Sequence, residues 1–435
     1  MGLSELKQKY NLNELELFNQ DLTNLKVSFE ANKLKQTNSS NISGYAIRLA
    51  KNNKIGFCAS YGTNNVEELL NQAIDLSTYS EEVKFKLPTN NKACKKTLSE
   101  KREYKFDNKD LINGFKETGN NIVETIISKA GSVLVDISFE ADQISEFLEN
   151  SNELFIPYKK DLYSTAITIR DTSEGNFTEI STAFIEEKNS DCSFLVNELI
   201  EFFNLSKSTS KIKSGKYPVL FTSKATKELI PIIELALNGK EVLKKSSPWK
   251  DKIGKKVLSE KITIEQNPAF GYMARDFDHE GIEIQKLILV KEGILNNFYF
   301  DLVSGVKMKP FFKSTGNGFK PSLSSQIEPQ LLNLVFPFGK RKISEIVKDI
   351  KYGLFVDQTM GALSSDISGD ISLNIEFGCL IENGEIKGRV KDTMISGNVY
   401  EVLNNVIEFS DTCKWYWSNI YSPDMLLDGF TVASK

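Results

Sequence analysis

The sequence predicts an α+β protein of two domains: an N-terminal mixed α/β domain of hairpins and helices, and a β-rich C-terminal domain. The 435 residues exceed one small domain. Short alternating apolar runs, bounded by turn residues, occur between segments with helical spacing. Residues 207–215 are polar, and Ile212 is their one large apolar residue. We therefore predict domains at 1–206 and 216–435, joined by a linker at 207–215.

The first domain is predicted from the spacing of its apolar residues. The predicted elements are a short amphipathic helix (3–18), a strand (25–30), a hairpin (44–50 and 55–60), helices at 66–76, 110–129 and 192–203, and three alternating segments between the last two helices (132–141, 166–170 and 177–183). Asn52 and Asn53 suit the two-residue turn of the hairpin. Asn64 or Asn65 can cap the helix that follows.

The second domain is predicted to contain more strands than the first. Its predicted elements are a strand (217–222), a helix (225–236), hairpins at 282–300 and 371–393, a helix (399–409) and an aromatic segment (414–417). Asn383-Gly384 is the strongest turn signal. Pro231 lies inside the first of these helices, where it predicts either a kink or the start of a second helix.

Composition excludes several classes of protein. Lys+Arg 54 against Asp+Glu 58 gives a net charge of −4, which provides no basic field for nucleic acid or for an anionic membrane. One histidine, His279, excludes every metal motif that needs two. Five scattered cysteines without CxxC are typical of a reducing compartment. With no secretory signal and no apolar run near the roughly 18 residues of a membrane span, we expect a cytoplasmic protein.

Three segments concentrate residues that can carry chemistry. Residues 276–281 hold three carboxylates, the histidine and a glycine, and indicate either a metal or acid–base site or a solvated turn. Residues 314–318, Ser-Thr-Gly-Asn-Gly, form either a binding loop for an anion or extended peptide or a structural turn, and they lack the ending of a P-loop. Cys413, beside Trp415, is either a ligand or nucleophile or an ordinary packed residue.

Several collinear segments resemble the TldD/PmbA family, also described as modulators of DNA gyrase. These segments are residues 44–73, 217–220, 237–247, 277–281, 314–317, 369–386, 395–398 and 422–432. No single segment is specific, but their order along the chain is. The resemblance covers nearly the whole sequence.

The resemblance has consequences for a metal site. In that family, the TldD-like branch is a metallopeptidase with HExxxH on a helix of the C-terminal domain and a cysteine near the C-terminus as a further ligand. The PmbA-like or TldE-like branch lacks these histidines and pairs with it. The corresponding segment here lies within residues 224–237, which hold Glu228 and Glu234 but no histidine. Cys413 matches the general position of the family cysteine, yet one soft ligand without two imidazoles holds zinc poorly.

The resemblance therefore implies a TldE-like, non-catalytic subunit of a heterodimeric metallopeptidase. Such a subunit would help to form a chamber for unfolded or extended peptides, which can bind by strand addition. An HExxxH-bearing, TldD-like partner subunit would hold the zinc, so we expect no cofactor and no catalytic residue in this chain, and neither nucleic acid nor a membrane as a partner. The residues expected to shape the substrate or partner site are Asp278, His279, Glu280, Gly281, Ser314, Thr315, Gly316, Asn317 and Cys413.

Two other functions stay open at the level of sequence. One is a self-associating peptide-binding or regulatory protein, gyrase-modulator-like, which forms a homodimer without a protease partner. The other is a hydrolase that uses Ser-Lys or Thr chemistry without histidine, for which the abundance of Ser and Lys is the one supporting feature. We expect the isolated chain to be inactive as a peptidase.

Overall fold

The computed structural model describes residues 2–62, 65–89, 108–173, 177–187, 191–308, 313–360, 366–415 and 419–435. Cys94, the alternative cap Asn64, and Tyr416 and Trp417 of the predicted aromatic segment lie outside these residues. The predicted α+β class is confirmed: helices flank two large sheets, and the sheet of the C-terminal half has more strands than that of the N-terminal half. No helix in the described ranges is long and apolar enough to cross a membrane.

The N-terminal half forms a six-stranded antiparallel sheet in the order β3-β2-β1-β4-β5-β6. Its strands are β1 (Glu14–Glu30), β2 (Lys33–Lys51), β3 (Lys54–Tyr61), β4 (Leu134–Asn150), β5 (Phe155–Asp171) and β6 (Thr178–Glu186). Its helices are α1 (Leu3–Lys9), α2 (Val66–Ser77), α3 (Asn108–Ala130) and α4 (Ser193–Ser206). Each predicted strand and helix has a counterpart among these elements, but several strands are much longer than predicted and the first helix is shorter.

The local turn and cap signals of this half are confirmed. Asn52 and Asn53 adopt φ of 54° and 61°, as a type I′ hairpin turn requires. The side chain of Asn65 accepts a hydrogen bond from Glu68 N and caps α2. The prediction of a helix through residue 18 was wrong, because α1 ends at Lys9 and β1 begins at Glu14. The reason is that residues 14–18 pair with β2 across a buried interface.

The C-terminal half forms a 14-stranded mixed sheet. The strands of this sheet are β7 (Thr209–Ser210), β8 (Gly215–Lys216), β9 (Val219–Phe221), β10 (Ile264–Gln266), β11 (Leu287–Lys291), β12 (Ile294–Leu295), β15 (Leu334–Val335), β16 (Tyr352–Met360), β17 (Asp370–Glu382), β18 (Glu385–Val390), β19 (Thr393–Asn398), β20 (Val406–Trp415), β21 (Ile420–Leu427) and β22 (Thr431–Ser434). A separate two-stranded pair consists of β13 (Gly318–Phe319) and β14 (Glu328–Pro329). Two-residue strands of the predicted linker, β7 and β8, join the larger sheet. The exact domain boundary stays a prediction.

The helices of this half are α5 (Ile230–Leu237), α6 (Gly239–Leu243), α7 (Leu302–Lys307), α8 (Ile343–Lys348) and α9 (Val399–Asn404). Pro231 lies in the first turn of α5, after a separate 3-10 turn, Ala225–Glu228, so it marks the start of a second helix. The last predicted helix, at 399–409, was predicted too long, because α9 ends at Asn404. Residues 406–409 belong instead to β20, which pairs with β21.

The two sheets share part of one apolar core. Phe115 of α3 stacks on Phe139 of β4, with ring centroids 5.0 Å apart. The same cluster of buried side chains includes Phe203 of α4 and Phe355 and Phe377 of the second sheet. Burial of this continuous apolar surface holds the two halves together and sets the relative position of the polar segments described next.

Candidate functional site

The two polar segments found in the sequence lie against each other. His279 N donates to Gly318 O at 2.9 Å, and Gly318 N donates to Asp278 Oδ2 at 2.9 Å. Asp278 Oδ1 accepts from the main-chain N–H groups of Glu280 and Ile282, both at 2.9 Å. Asp278 is only 2% exposed. Its carboxylate therefore closes its own turn and ties that turn to the second segment.

A glycine is required where the segments meet. A Cβ on Gly318 would overlap Oε2 of Glu280. Gly281 has φ +77° and faces Leu154 of the N-terminal half, so a side chain there would meet both backbone strain and a clash. The glycines of these segments thus permit close packing between chain segments that are distant in sequence.

A buried charge network connects this junction to the N-terminal sheet. Arg48 of β2 binds Glu16 of β1 through Nε at 2.6 Å and Nη2 at 3.1 Å, and its Nη1 donates to Glu280 Oε1 at 2.6 Å. The second oxygen of Glu280 accepts from Leu302 N at 2.6 Å. Burial raises the pKa of Glu280, and the guanidinium of Arg48 acts in the opposite direction. One guanidinium therefore bridges two carboxylates from the two halves of the chain.

His279 is held as a neutral ring. Its Nδ1 accepts a hydrogen bond from Lys320 N at 3.0 Å, so the neutral ring carries its proton on Nε2. Nε2 lies 3.4 Å from Glu146 Oε2 and 3.0 Å from Arg275 Nη1. Burial, followed by the charge of Arg275, lowers the pKa of His279 to about 4. A ring with this pKa is uncharged at neutral pH.

Lys320 completes the charged surroundings of this junction. Its Nζ lies 4.2 Å from the centre of the Phe57 ring and donates to Ser325 O at 3.3 Å. Burial lowers the pKa of Lys320 to about 7. The amine therefore occupies an enclosed position where its charge is only partly compensated.

The loop at residues 314–317 uses its polar groups internally. Asn317 Nδ2 donates to Gln266 Oε1 at 2.6 Å and to Gln330 O at 2.7 Å. Thr315 Oγ1 donates to Asn317 Oδ1 at 2.6 Å, and Gly316 N donates to Ser314 Oγ at 3.2 Å. Asn317 and Gln266 are fully buried. A binding role for this loop stays a prediction, and the contacts that the structure provides are those of a structural junction.

Four charged residues that surround the junction were not predicted from the sequence: Arg48, Glu16, Glu146 and Arg275. A signal existed for two of them. Glu16 and Arg48 each interrupt an apolar run, Leu15-Glu16-Leu17 and Ile47-Arg48-Leu49, and they are directly opposite in the β1–β2 register. Opposite charges at apolar positions of neighbouring strands indicate a buried ion pair.

Cys413 lies apart from this junction in the fold. It is on β20, opposite Pro423 of β21. Burial, with a contribution from Asp424, raises the pKa of its thiol to about 12. Neighbouring Trp415 packs on Tyr421 with ring centroids 5.0 Å apart. A protonated, half-buried thiol is a poor nucleophile and a poor metal ligand.

The helix segment where the resemblance would require HExxxH consists of the 3-10 turn and α5. Ile230, Ile232, Ile233 and Ala236 of this segment are buried in the core. Zinc needs imidazole, thiolate or carboxylate donors that converge on one point. Within the described ranges, no group of three His, Cys, Asp or Glu side chains is placed to hold a metal ion. The donor chemistry of this helix therefore does not fit a zinc site.

One carboxylate of α5 faces a cavity instead. Glu234 lines a cavity of about 340 Å³ together with Tyr299 and Asn419. Asn419 Nδ2 donates to Glu234 Oε1 at 3.3 Å. Loss of surrounding water raises the pKa of Glu234 to about 7, although the hydrogen bond from Asn419 opposes this change. Glu234 is half-buried, so its carboxylate is within reach of a small ligand.

The fold and these segments define a two-sheet α+β protein with a β-rich C-terminal half. Residues 214–434 match the PmbA/TldA metallopeptidase C-terminal domain, and residues 15–77 match domain 1 of the same family. The chain belongs to the PmbA/TldD metallopeptidase family. The family predicted from the sequence is thus confirmed.

Individual relatives support this assignment. The chain is 30% identical over 220 residues to a Metalloprotease TldD homolog of Buchnera aphidicola and 29% identical over 230 residues to Metalloprotease PmbA of Escherichia coli, covering 50% and 52% of this chain. It spans about half the length of these relatives, 45% and 48%. TldE from Thermococcus kodakarensis has the same fold, with a TM-score of 0.87, 22% identity and 99% of each chain covered.

Proposed function

We propose that this chain is the non-catalytic, TldE-like subunit of a two-subunit metallopeptidase that degrades unfolded or extended peptides in the cytoplasm. In this proposal, an HExxxH-bearing, TldD-like partner subunit holds the zinc. This chain contributes walls of the peptide chamber and part of the subunit interface. Family membership supports the peptidase context, and the chemistry of α5 supports the non-catalytic role.

The absence of a second histidine is the observation that carries the proposal. The single histidine of the chain, His279, is in the junction between the two polar segments. There, the main-chain N–H of Lys320 donates a hydrogen bond to Nδ1 of His279. The histidine is therefore committed to a structural contact far along the chain from α5. In this proposal, Glu228 and Glu234 have no metal-bound water to activate in this chain.

One edge of β2 supports the proposed role in peptide binding. On β2, the strand β3 pairs with residues 44–51, and Gly62 N donates to Ser43 O. In the part of the chain that the structure describes, residues 33–42 of β2 therefore have a strand partner on one side, β1. These residues are all exposed, and residues 36–42 carry no charge that would oppose pairing. An extended peptide can add to such an edge through main-chain hydrogen bonds.

Peptide hydrolysis by reconstituted proteins tests the proposal. The purified chain is assayed alone, the HExxxH-bearing homologue of the same organism is assayed alone, and then the two are mixed, each with and without a chelator. We expect hydrolysis to rise strongly in the mixture and to disappear with the chelator. Lys9→Met in this chain, which removes an exposed ion pair with Glu67 outside the expected site residues, serves as a control and should leave the activity of the mixture unchanged.

Two outcomes would contradict the proposal. Hydrolysis by this chain alone, insensitive to the chelator, would indicate an unrecognised nucleophile. A stable homodimer that never associates with the homologue, measured by analytical ultracentrifugation, would favour the self-associating regulatory protein.

A further inference from the structure

The cavity beside α5 has a chemical character that neither the family assignment nor the proposed function explains. Its walls combine apolar surface with the polar side chains of Glu234, Asn419, Gln330 and Tyr299. Pro231 and Leu235 come from the same helix as Glu234, and Leu331 comes from the segment before β15. A volume of about 340 Å³ is far more than one water molecule needs.

Glu234 and Asn419 present hydrogen-bond acceptors to the cavity, whereas the side-chain amide of Gln330, which also lines it, is both a donor and an acceptor. Both N–H bonds of the Asn419 amide are used, one to Glu234 Oε1 at 3.3 Å and one to Leu331 O at 2.9 Å. The amide oxygen of Asn419 and Oε2 of Glu234 therefore remain as acceptors. No ion pair joins Glu234 to a Lys or Arg among the described residues. The hydroxyl of Tyr299 is directed to the main-chain oxygen of Glu234, at 3.1 Å.

We propose that this cavity binds a primary alkylammonium group, as carried by a lysine side chain or by the N-terminus of a peptide. Such a group brings positive charge and three N–H donors to a site that offers a carboxylate and an amide oxygen. Its hydrocarbon part packs against Pro231, Leu235 and Leu331. An anion is repelled by Glu234, and a hard divalent cation requires more oxygen ligands than these two side chains offer.

Three blocked amino acids test the inference with the full-length isolated chain. Nα-acetyl-lysine methylamide carries a side-chain ammonium, alanine methylamide carries an α-ammonium, and Nα-acetyl-norleucine methylamide has neither. Dissociation constants are measured by saturation-transfer NMR at pH 7, where the α-ammonium group is mostly charged. We expect the lysine or the alanine compound to bind at least tenfold more tightly than the norleucine compound, and the stronger of the two identifies the source of the ammonium group. Equal binding of all three compounds, or no binding of either ammonium compound, would overturn the inference.

Two variants locate the binding site. Glu234→Gln removes the negative charge with little change of shape and should weaken binding of the preferred ammonium compound at least tenfold. Glu228→Gln, on the preceding 3-10 turn and outside the cavity lining, is the matched control and should leave binding unchanged. Retention of full affinity in a folded Glu234→Gln protein would refute the assignment to this cavity. Comparison of the three ligands on the unmodified chain keeps the inference testable if that variant does not fold.

The inference and the proposed function fail separately. Ammonium binding uses this chain alone, whereas the proposed function requires hydrolysis in the mixture with the homologue. Hydrolysis in the mixture without ammonium binding overturns only the cavity assignment. Ammonium binding without hydrolysis in the mixture overturns only the subunit role.

Discussion

The substitution Arg48→Met tests the charge network that joins the two halves of the chain. Arg48 is 6% exposed, and its partners Glu16 and Glu280 are 1% and 0% exposed. The guanidinium makes three contacts with these carboxylates, at 2.6, 3.1 and 2.6 Å. Methionine preserves much of the volume of the arginine stem but leaves two buried carboxylates without their cation.

The expected loss of stability is large. Breaking a buried ion pair by removal of one partner costs about 3–5 kcal/mol, because an uncompensated charge stays buried. Here one cation serves two carboxylates, so we expect a loss of about 4 kcal/mol in the free energy of unfolding. The triple variant Arg48→Met, Glu16→Gln, Glu280→Gln removes the uncompensated charges and should regain about 2 kcal/mol relative to the single variant.

Urea denaturation followed by tryptophan fluorescence measures these differences, since Trp249 is buried in the core of the C-terminal half. Lys9→Met provides the control. Lys9 and Glu67 form an exposed ion pair, so its removal should change the free energy of unfolding very little. A loss below about 1 kcal/mol for Arg48→Met, or a triple variant less stable than the single one, would refute the argument that Arg48 neutralises both carboxylates.

Three further predictions concern the junction and the cavity. Gly318→Ala should lower stability by about 1–3 kcal/mol in urea denaturation, because the new Cβ overlaps a buried carboxylate, whereas Gly114→Ala, with open space in α3, should be neutral or stabilising. The pKa of His279, about 4 in the folded chain against about 6.5 unfolded, means that the unfolded state binds the additional proton as pH falls. The contribution of His279 to the free energy of unfolding should therefore fall by about 2 kcal/mol from pH 7.5 to 5. His279→Gln should lack this part of the pH dependence of the urea midpoint, and an equal pH dependence of the two proteins would contradict the prediction. Finally, binding of the lysine compound, whose side-chain ammonium stays charged over this range, should strengthen about tenfold from pH 6 to 8 as Glu234, with a pKa of about 7, ionises. Tyr299, whose pKa is raised well above its usual value, stays neutral. Titration by NMR at the two pH values checks this, and constant affinity would exclude Glu234 as the charged group.

Local signals predicted the parts of the fold that depend on a few neighbouring residues. The Asn52-Asn53 and Asn383-Gly384 turns adopt the left-handed backbone that their residue types favour. Asn65 caps α2, and Pro231 begins α5 after a 3-10 turn. These features were predictable because their energies arise within a few residues of chain.

Two segments show where local signals were insufficient. Residues 14–18 have apolar residues that suit either a helix or a strand, and pairing with β2 over the full length of β1 selects the strand. Residues 406–409 continue a helical pattern, yet they pair with β21 and extend β20. In both segments, hydrogen bonding to a distant strand outweighs a helix propensity of a few tenths of a kcal/mol per residue.

The sequence by itself determined the α+β class, the family resemblance and the lack of two histidines for a metal site, since these depend on residue identity and order. Only the tertiary structure decided that Arg48 meets Glu280, 232 residues further along the chain, and that Glu234 faces a cavity with Asn419. Such contacts depend on strand register and on the packing of the two sheets against a shared core. These are set by the sum of many long-range interactions, which no short segment of sequence encodes.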